Sequence, residues 1–427
     1  MQNYSKSIRK IAIFTLILTG IVFLIRNQDR LITTQEDSKN NGTSIPVPAI
    51  YPGLEEKTTV ENVILQKLSA CAFDGDSILP DGKVTILTSP QYVPANPRVV
   101  VAADFVLENI QWLPSGKQLL VTYTTSERAG RETIAIVDIA SASISVIGER
   151  QFNHAAPIWL DNQQSIAYID PNEAGSYNIL IKRSIDGNEE NLIAQTSQPY
   201  LSTGPQESLI FFSLNEKNQI EIIDTAGTIQ AIFNTADPEW DFGLPLPQPG
   251  RFAWNNNASS LVINSPKGLF FLETKSGQIC QFDISKQSEE KLWPYAASWS
   301  PNYRYLALLT TSGTGTLPFL NLTILDYLTG QLISVPPEEL NSTGNIYFSD
   351  LAWSPDSQTI ATLVGKGENT GNQLLFVDAA TGNSIQVLPD TNFYSGGISG
   401  NLAWSPDGAH LAYICPKGPL CIVDINR

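Results

Sequence analysis

An all-β fold, a seven-bladed β-propeller of four-stranded blades, is predicted by three observations on the sequence. A tryptophan-anchored segment recurs at a period near 50, each copy carries the turn chemistry of a hairpin, and a second hairpin signal ending in an acidic residue follows most copies. Six copies carry the tryptophan, at Trp112, Trp159, Trp254, Trp299, Trp353 and Trp404, each with an aliphatic residue seven positions later. A seventh, degenerate copy has Ser202 in the tryptophan place and Leu209 in the aliphatic one. The anchors lie 43 to 54 residues apart. A unit of that length made of short strands cannot bury both its faces alone, so neighbouring units must stack, and a ring of blades satisfies that need.

Each element follows from its local residues. In LAWSPDGAHLAYIC, Trp404 ends one strand, Ser405-Pro406-Asp407-Gly408 turns the chain, and Leu411 sits on the returning strand. Proline presets φ for the turn and glycine accepts the left-handed position that closes it. The third strand of a unit ends in an acidic residue, as at Asp138, Asp224, Glu273, Asp326 and Asp378. A carboxylate there can accept local backbone N–H groups, and the Gly nearby in most copies supplies positive φ for the second hairpin. Their even spacing assigns these carboxylates to turns, one per blade, and not to a paired acid and base. The last unit ends at its third strand, in PLCIVDINR, so Arg98–Ala103 is expected to complete the last blade from the N-terminal side. The propeller then occupies residues 98–427.

The Trp-Ser-Pro-Asp-Gly sequence, followed by an aliphatic-Ala-aromatic strand, resembles the WD40-like PD40 repeat of the TolB-like family of periplasmic β-propellers. The motif is complete at Trp404–Gly408, keeps Trp-Ser-Pro-Asp at Trp353 and Trp-Ser-Pro at Trp299, and diverges further in the N-terminal units. The likeness therefore reaches the repeat superfamily and not TolB itself. It covers about residues 98 to 427 and implies a secreted propeller. The same repeat builds the propellers of prolyl oligopeptidase-type enzymes, but no G-x-S-x-G nucleophile elbow occurs here.

Ahead of the propeller, Ile11–Ile25 are 15 consecutive uncharged residues, with Lys6, Arg9 and Lys10 before them and Arg26 after. Both a signal peptide and a signal anchor fit. The absence of a small-residue cleavage site favours an uncleaved anchor, and the basic flank places the N-terminus in the cytoplasm and the bulk of the chain outside. Residues 1–26 are thus read as a cytoplasmic tip and membrane anchor, and residues 27–59 as a polar linker. Residues 60–97 remain an extra segment without a place in the repeat.

Composition narrows the function. The chain has 427 residues, 42% of them hydrophobic, so it can bury a core. Its 42 Asp and Glu outweigh 26 Lys and Arg, a net charge of -16 that repels nucleic-acid phosphates. The two histidines, His154 and His410, leave little material for His-based catalysis, no cofactor or metal motif is present, and His410 reads as a surface turn residue. Cys415 and Cys421 bracket a short hairpin and can face each other as a disulfide or as two thiols; Cys71 and Cys280 have no evident partner except each other.

Two tryptophans, Trp240 and Trp293, stand outside the repeat, and both fall in segments read as long connections between blades, as do Tyr295, Phe393 and Tyr394. His154 lies in another such connection. Exposed aromatics on one face of a ring suit a protein or peptide partner. The expectation is a membrane-tethered, extracytoplasmic, non-catalytic scaffold that binds a protein, peptide or glycan through Trp240, Trp293, Tyr295, Phe393, Tyr394 and His154. The alternative is a propeller-type lyase, lactonase or glycan hydrolase with its site in the channel.

Overall fold

The computed structural model describes residues 69–71, 93–101, 105–125, 130–151, 156–160, 164–171, 178–196, 200–203, 209–212, 219–223, 228–234, 252–254, 260–265, 268–274, 276–286, 292–312, 320–335, 347–365, 372–387, 401–415 and 418–426. The anchor at 11–25, the linker and most of residues 60–97 lie outside these. Among the described residues no helix is long and apolar enough to cross a membrane.

Each blade is an antiparallel sheet whose strands follow chain order from the innermost outward. The Trp112 blade, for example, runs Phe105–Trp112, Gln118–Thr125, Arg131–Asp138 and Ile144–Gln151. Four repeat strands in the same order hold Trp159 (Ile158–Leu160 to Glu189–Thr196), Trp254 (Phe252–Trp254 to Ile279–Phe282), Trp299 (Leu292–Trp299 to Gln331–Ser334) and Trp353 (Tyr347–Trp353 to Ser384–Val387), and the Trp254 sheet has Ser69–Ala70 as a fifth strand on its outer edge. The Trp404 blade contributes Leu402–Trp404, His410–Ile414 and Leu420–Asn426, and its outermost strand is Val93–Val101, which pairs with Leu420–Asn426. That closing strand begins five residues earlier than the segment read from the sequence. Asp424 pins it, accepting hydrogen bonds from Arg98 at 2.6 Å and Asn96 at 3.3 Å.

Among the described residues six blades carry four repeat strands, and not the expected seven. Where the degenerate unit falls, the described strands form two separate two-stranded ladders, Tyr200–Thr203 with Leu209–Phe212 and Gln219–Ile223 with Ile229–Asn234. Tyr200–Thr203 lies against both Ile158–Leu160 and Phe252–Trp254, between the innermost strands of its neighbours. This unit differs from the others in its anchor, since Ser202 has no indole to bury against the next blade.

The core sits between blades. Alternate residues of a strand point to opposite faces of its sheet, so each blade contributes to two clusters. In the Trp404 blade, Leu411 and Tyr413 pack toward Ile360's blade with Phe376 and Leu363. Ala412 and Ile414 pack the other way, with Leu119, Val121 and Ala135 of the Trp112 blade. The last blade thereby buries a face against the first described one. Tyrosine, leucine and phenylalanine side chains fill the Trp353–Trp404 cluster, and several are fully excluded from solvent.

The tryptophans add a directional bond. Trp404 Nε1 donates to Ala352 O at 3.0 Å, Trp353 Nε1 to Ser298 O at 3.0 Å, and Trp112 Nε1 to Ala403 O at 2.9 Å. In every case the acceptor is the residue just before the neighbouring blade's tryptophan, so the period of the repeat becomes a period of interblade bonds. Trp299 breaks the series, since its buried Nε1 has no hydrogen-bond partner among the described residues. Its ring packs instead on Tyr327, edge-on with centroids 5.1 Å apart, and on Phe271 and Tyr303.

Candidate interaction face

The ring has two unlike ends. At one end lie the turns that follow the tryptophans. Ser405 Oγ donates to Asp407 Oδ1 at 2.6 Å and accepts from His410 N at 2.9 Å, while Asp407 Oδ1 also accepts from Ala409 N at 2.9 Å. Ser354 and Asp356 repeat these contacts with Gln358 and Thr359, and Ser300 and Asn302 with Arg304 and Tyr305. The left-handed position, Gly408 at φ 70°, is filled in those two copies by Ser357 and Tyr303, at φ 65° and 60°. A Cβ there is strained, and the turn persists because its side-chain bonds are complete. The bonds from Ser405 and Ala409 hold the Asp407 carboxyl below its ordinary pKa against a smaller opposing effect of burial.

The third-strand carboxylates are at this end too. Asp378 Oδ1 accepts from Ala380 N, Thr381 N and Thr381 Oγ1, Asp138 Oδ1 from Ser141 N and Oγ, and Asp326 Oδ1 from Leu328 N. Each carboxylate fastens its own turn through Oδ1, and Asp326 Oδ2 also accepts from Arg304 Nη2 at 3.0 Å. His410 is no bare turn residue either: its Nδ1 lies 3.1 Å from Asp424 and its ring stacks on Trp112 across the closing joint, with centroids 6.1 Å apart.

The opposite end, where one blade connects to the next, is built differently. Leading from that end to the tryptophan, three of the described innermost strands carry a bulge near their middle, at Leu107/Asn109, Pro294/Ala296 and Ser349/Leu351. The extra residues are Glu108, Tyr295 and Asp350. Bulges re-aim side chains and gather near functional sites. Glu108 accepts a 3.4 Å hydrogen bond from Thr124 Oγ1, and the adjoining Asn109 donates to Thr122 Oγ1 at 3.2 Å.

Asp350 is the most unusual of the three. It is 1% exposed and sits at φ 56°, a strained conformation for a residue other than glycine. Its Oδ2 accepts from Asn401 Nδ2 at 2.7 Å and its Oδ1 from Asn401 N at 3.3 Å, so it ties the Trp353 blade to the start of the innermost strand of the Trp404 blade. Burial pushes its carboxyl up to about 6, against the lowering effect of the two Asn401 bonds. Asn401 also ends the connection that carries Phe393 and Tyr394.

The sequence-derived aromatics are placed only in part. Trp293 and Tyr295 do not lie in a loop: both are on the innermost strand Leu292–Trp299, Trp293 opposite Thr311 and Tyr295 as the bulged residue. A bulge at Pro294/Ala296 keeps the proline within the ladder, so the strand reaches into the segment read as a connection. The side chains of both lie outside the described residues, as do His154, Trp240, Phe393 and Tyr394 altogether. Asp350 and Asn401 were missed, although aligning the repeats on their tryptophans exposes them. Three positions before the anchor, Ala156 and Ala296 stand in two units and Asn109, Asp350 and Asn401 in three others.

All four cysteines are paired. Cys415 joins Cys421 within the last hairpin, and Cys71 joins Cys280 across 209 positions. Among the described residues no group of three or more His, Cys, Asp or Glu side chains is placed to hold a metal ion.

No protein-family model matches the chain, and no functionally characterised sequence resembles it. Similarity appears in three dimensions. The β-propeller domain of Myceliophteria thermophila Cps50 (Swd1) superposes with a TM-score of 0.51 at 12% identity, over 78% of this chain and 100% of that one. This chain folds as a β-propeller. A chain of the mitotic checkpoint complex is equally similar, with a TM-score of 0.51 at 14% identity over 78% of this propeller's chain and 95% of its own. TolB from Acinetobacter baumannii aligns over 69% of this chain and 76% of its own, with a TM-score of 0.39 and 13% identity.

Proposed function

We propose that this propeller is a non-catalytic scaffold that binds a protein or peptide across its interblade end, and that it works outside the cytoplasm, tethered to the membrane by residues 11–25. The carrying observation is the difference between the two ends. Turn carboxylates such as Asp138, Asp378 and Asp407 each fasten their own turn through Oδ1, whereas toward the interblade end lie three bulged inner strands and a buried aspartate at positive φ. One structural neighbour belongs to a multiprotein complex by its name, which agrees with a scaffold role. The pairing of all four cysteines supports an oxidising compartment, and the Ser-Pro-Asp-Gly turn supports a PD40 repeat of the TolB-like kind.

The test is a comparison of two variants of residues 31–427 with the partner captured from membrane extracts of the source cell. Trp240→Ala combined with Trp293→Ala is expected to weaken binding by about 2 kcal/mol or more while leaving the melting curve in place. Asp407→Ala, on the opposite end, is expected to leave affinity unchanged. Undiminished capture by the double variant would place the site elsewhere.

A further inference from the structure

The Trp254 blade carries a fifth strand that belongs to no repeat. Ser69–Ala70 lies parallel to its outermost strand, Ser69 opposite Cys280 and Ala70 opposite Gln281, with one more bond from Cys71 N to Gln281 O at 3.2 Å. Two residues of ladder are too few to hold a chain segment in water, where even a complete two-stranded hairpin is marginal. Among the described residues, the covalent hold on the segment is the Cys71–Cys280 bond, with Cα atoms 4.8 Å apart.

Its position matters as much as its reach. Both cysteines are partly buried and pack on the cluster shared by the Trp254 and Trp299 blades. That is the joint at which the indole of Trp299 finds no acceptor, while Trp112, Trp353 and Trp404 all find theirs. The second disulfide is a useful contrast. Cys421 is 1% exposed, and five residue pairs between His410–Ile414 and Leu420–Asn426 hold that hairpin with or without the bond.

We propose that the Cys71–Cys280 disulfide is a redox-controlled lock: oxidised, it holds Ser69–Cys71 on the outer edge of the Trp254 blade, and on reduction by a dithiol it releases that strap and opens the edge Ile279–Phe282. The exchange balances without further reactants. A thiolate of the dithiol attacks one Sγ and expels the other cysteine as thiolate; the second thiol of the reagent then resolves the mixed disulfide. Two electrons and two protons pass to the protein, which ends with two thiols, and the dithiol ends as a disulfide.

The experiment uses the full chain in detergent, titrated with dithiothreitol, with thiol state read by alkylation and mass spectrometry and local opening by amide hydrogen exchange. Reduction of Cys71–Cys280 is expected to raise exchange over Ile279–Phe282 by about tenfold or more while His410–Ile414 stays protected. Cys71→Ser combined with Cys280→Ser should show the open edge without reductant and no longer respond to it. Cys415→Ser combined with Cys421→Ser should respond like the wild type. Three results would overturn the lock: a bond that resists dithiothreitol in the folded protein, an edge that stays protected after reduction, or loss of protection at His410–Ile414 as well, which would make the bond a staple of the whole ring.

Discussion

The arc from Trp299 through Trp353 and Trp404 to Trp112 and the stretch around residues 200–254 are made from the same repeat, yet they hold together by different means. In the arc, the joints from Trp299 to Trp112 each combine an apolar cluster with an indole-to-carbonyl bond. In the stretch, the anchor at 202 is a serine, its described strands pair two by two, and among the described residues the next joint offers no acceptor to Trp299. A disulfide and a borrowed strand stand beside that weaker joint. The difference teaches that a propeller can tolerate a degraded unit when its neighbours are braced from outside the repeat.

The largest expected effect comes from breaking the arc at its closure. Deleting residues 93–101 leaves Leu420–Asn426 as an unpaired edge, removes the Arg98–Asp424 ion pair and exposes one side of the cluster shared with the Trp112 blade. The domain should then aggregate and lose its cooperative melting transition. A monomer on size exclusion with a wild-type melting curve would show that the arc does not need this strand.

Asp350 offers the next test, because it is a weak point inside the strong arc. Its carboxyl has a folded pKa of about 6 against 3.8 when unfolded. The folded state therefore holds the proton more tightly, and the stability contributed by the protonated form is present below pH 4 and lost as pH rises through 6. The shift of about two units corresponds to roughly 3 kcal/mol. Asp350→Asn should make the domain more stable than wild type by an amount of this order at pH 7 and confer little advantage near pH 4, since the amide of Asn401 can turn to complement it. Urea denaturation at the two pH values measures this directly, and an equal difference at both would assign the effect to the strained backbone instead.

The smallest effect sharpens the comparison between the joints. Trp404→Phe removes a bond and leaves Ala352 O without its donor, whereas Trp299→Phe removes a buried N–H that had no partner. The first should therefore cost about 1–3 kcal/mol more than the second in chemical denaturation. Equal costs would mean that the indole bonds do not distinguish the two parts of the ring.

Much of this was legible beforehand, for reasons that particular residues make plain. The hairpin at Ser405–Gly408 and the local role of Asp378 follow from chemistry within five residues, and the sequence states that chemistry openly. Closure by an N-terminal strand followed from a last unit one strand short. The placement of Trp293 was misread because a bulge depends on the pairing partner, here Thr310 and Leu309 opposite Pro294 and Ala296. Asp350 and Asn401 escaped notice because a carboxylate's burial and its partner across a joint depend on how closely two blades approach.

By itself, then, the sequence determined the period, the repeat hairpins and their turns, since turn preference and the spacing from anchor to aliphatic residue act over a few residues and recur from unit to unit. Only the tertiary structure decided which units mature into four-stranded blades, which indoles find an acceptor, and which thiol 209 positions away meets Cys71. Those outcomes rest on the spacing between separate sheets, where a few tenths of an ångström make or lose a hydrogen bond, and no pattern within one repeat encodes its distance to the next.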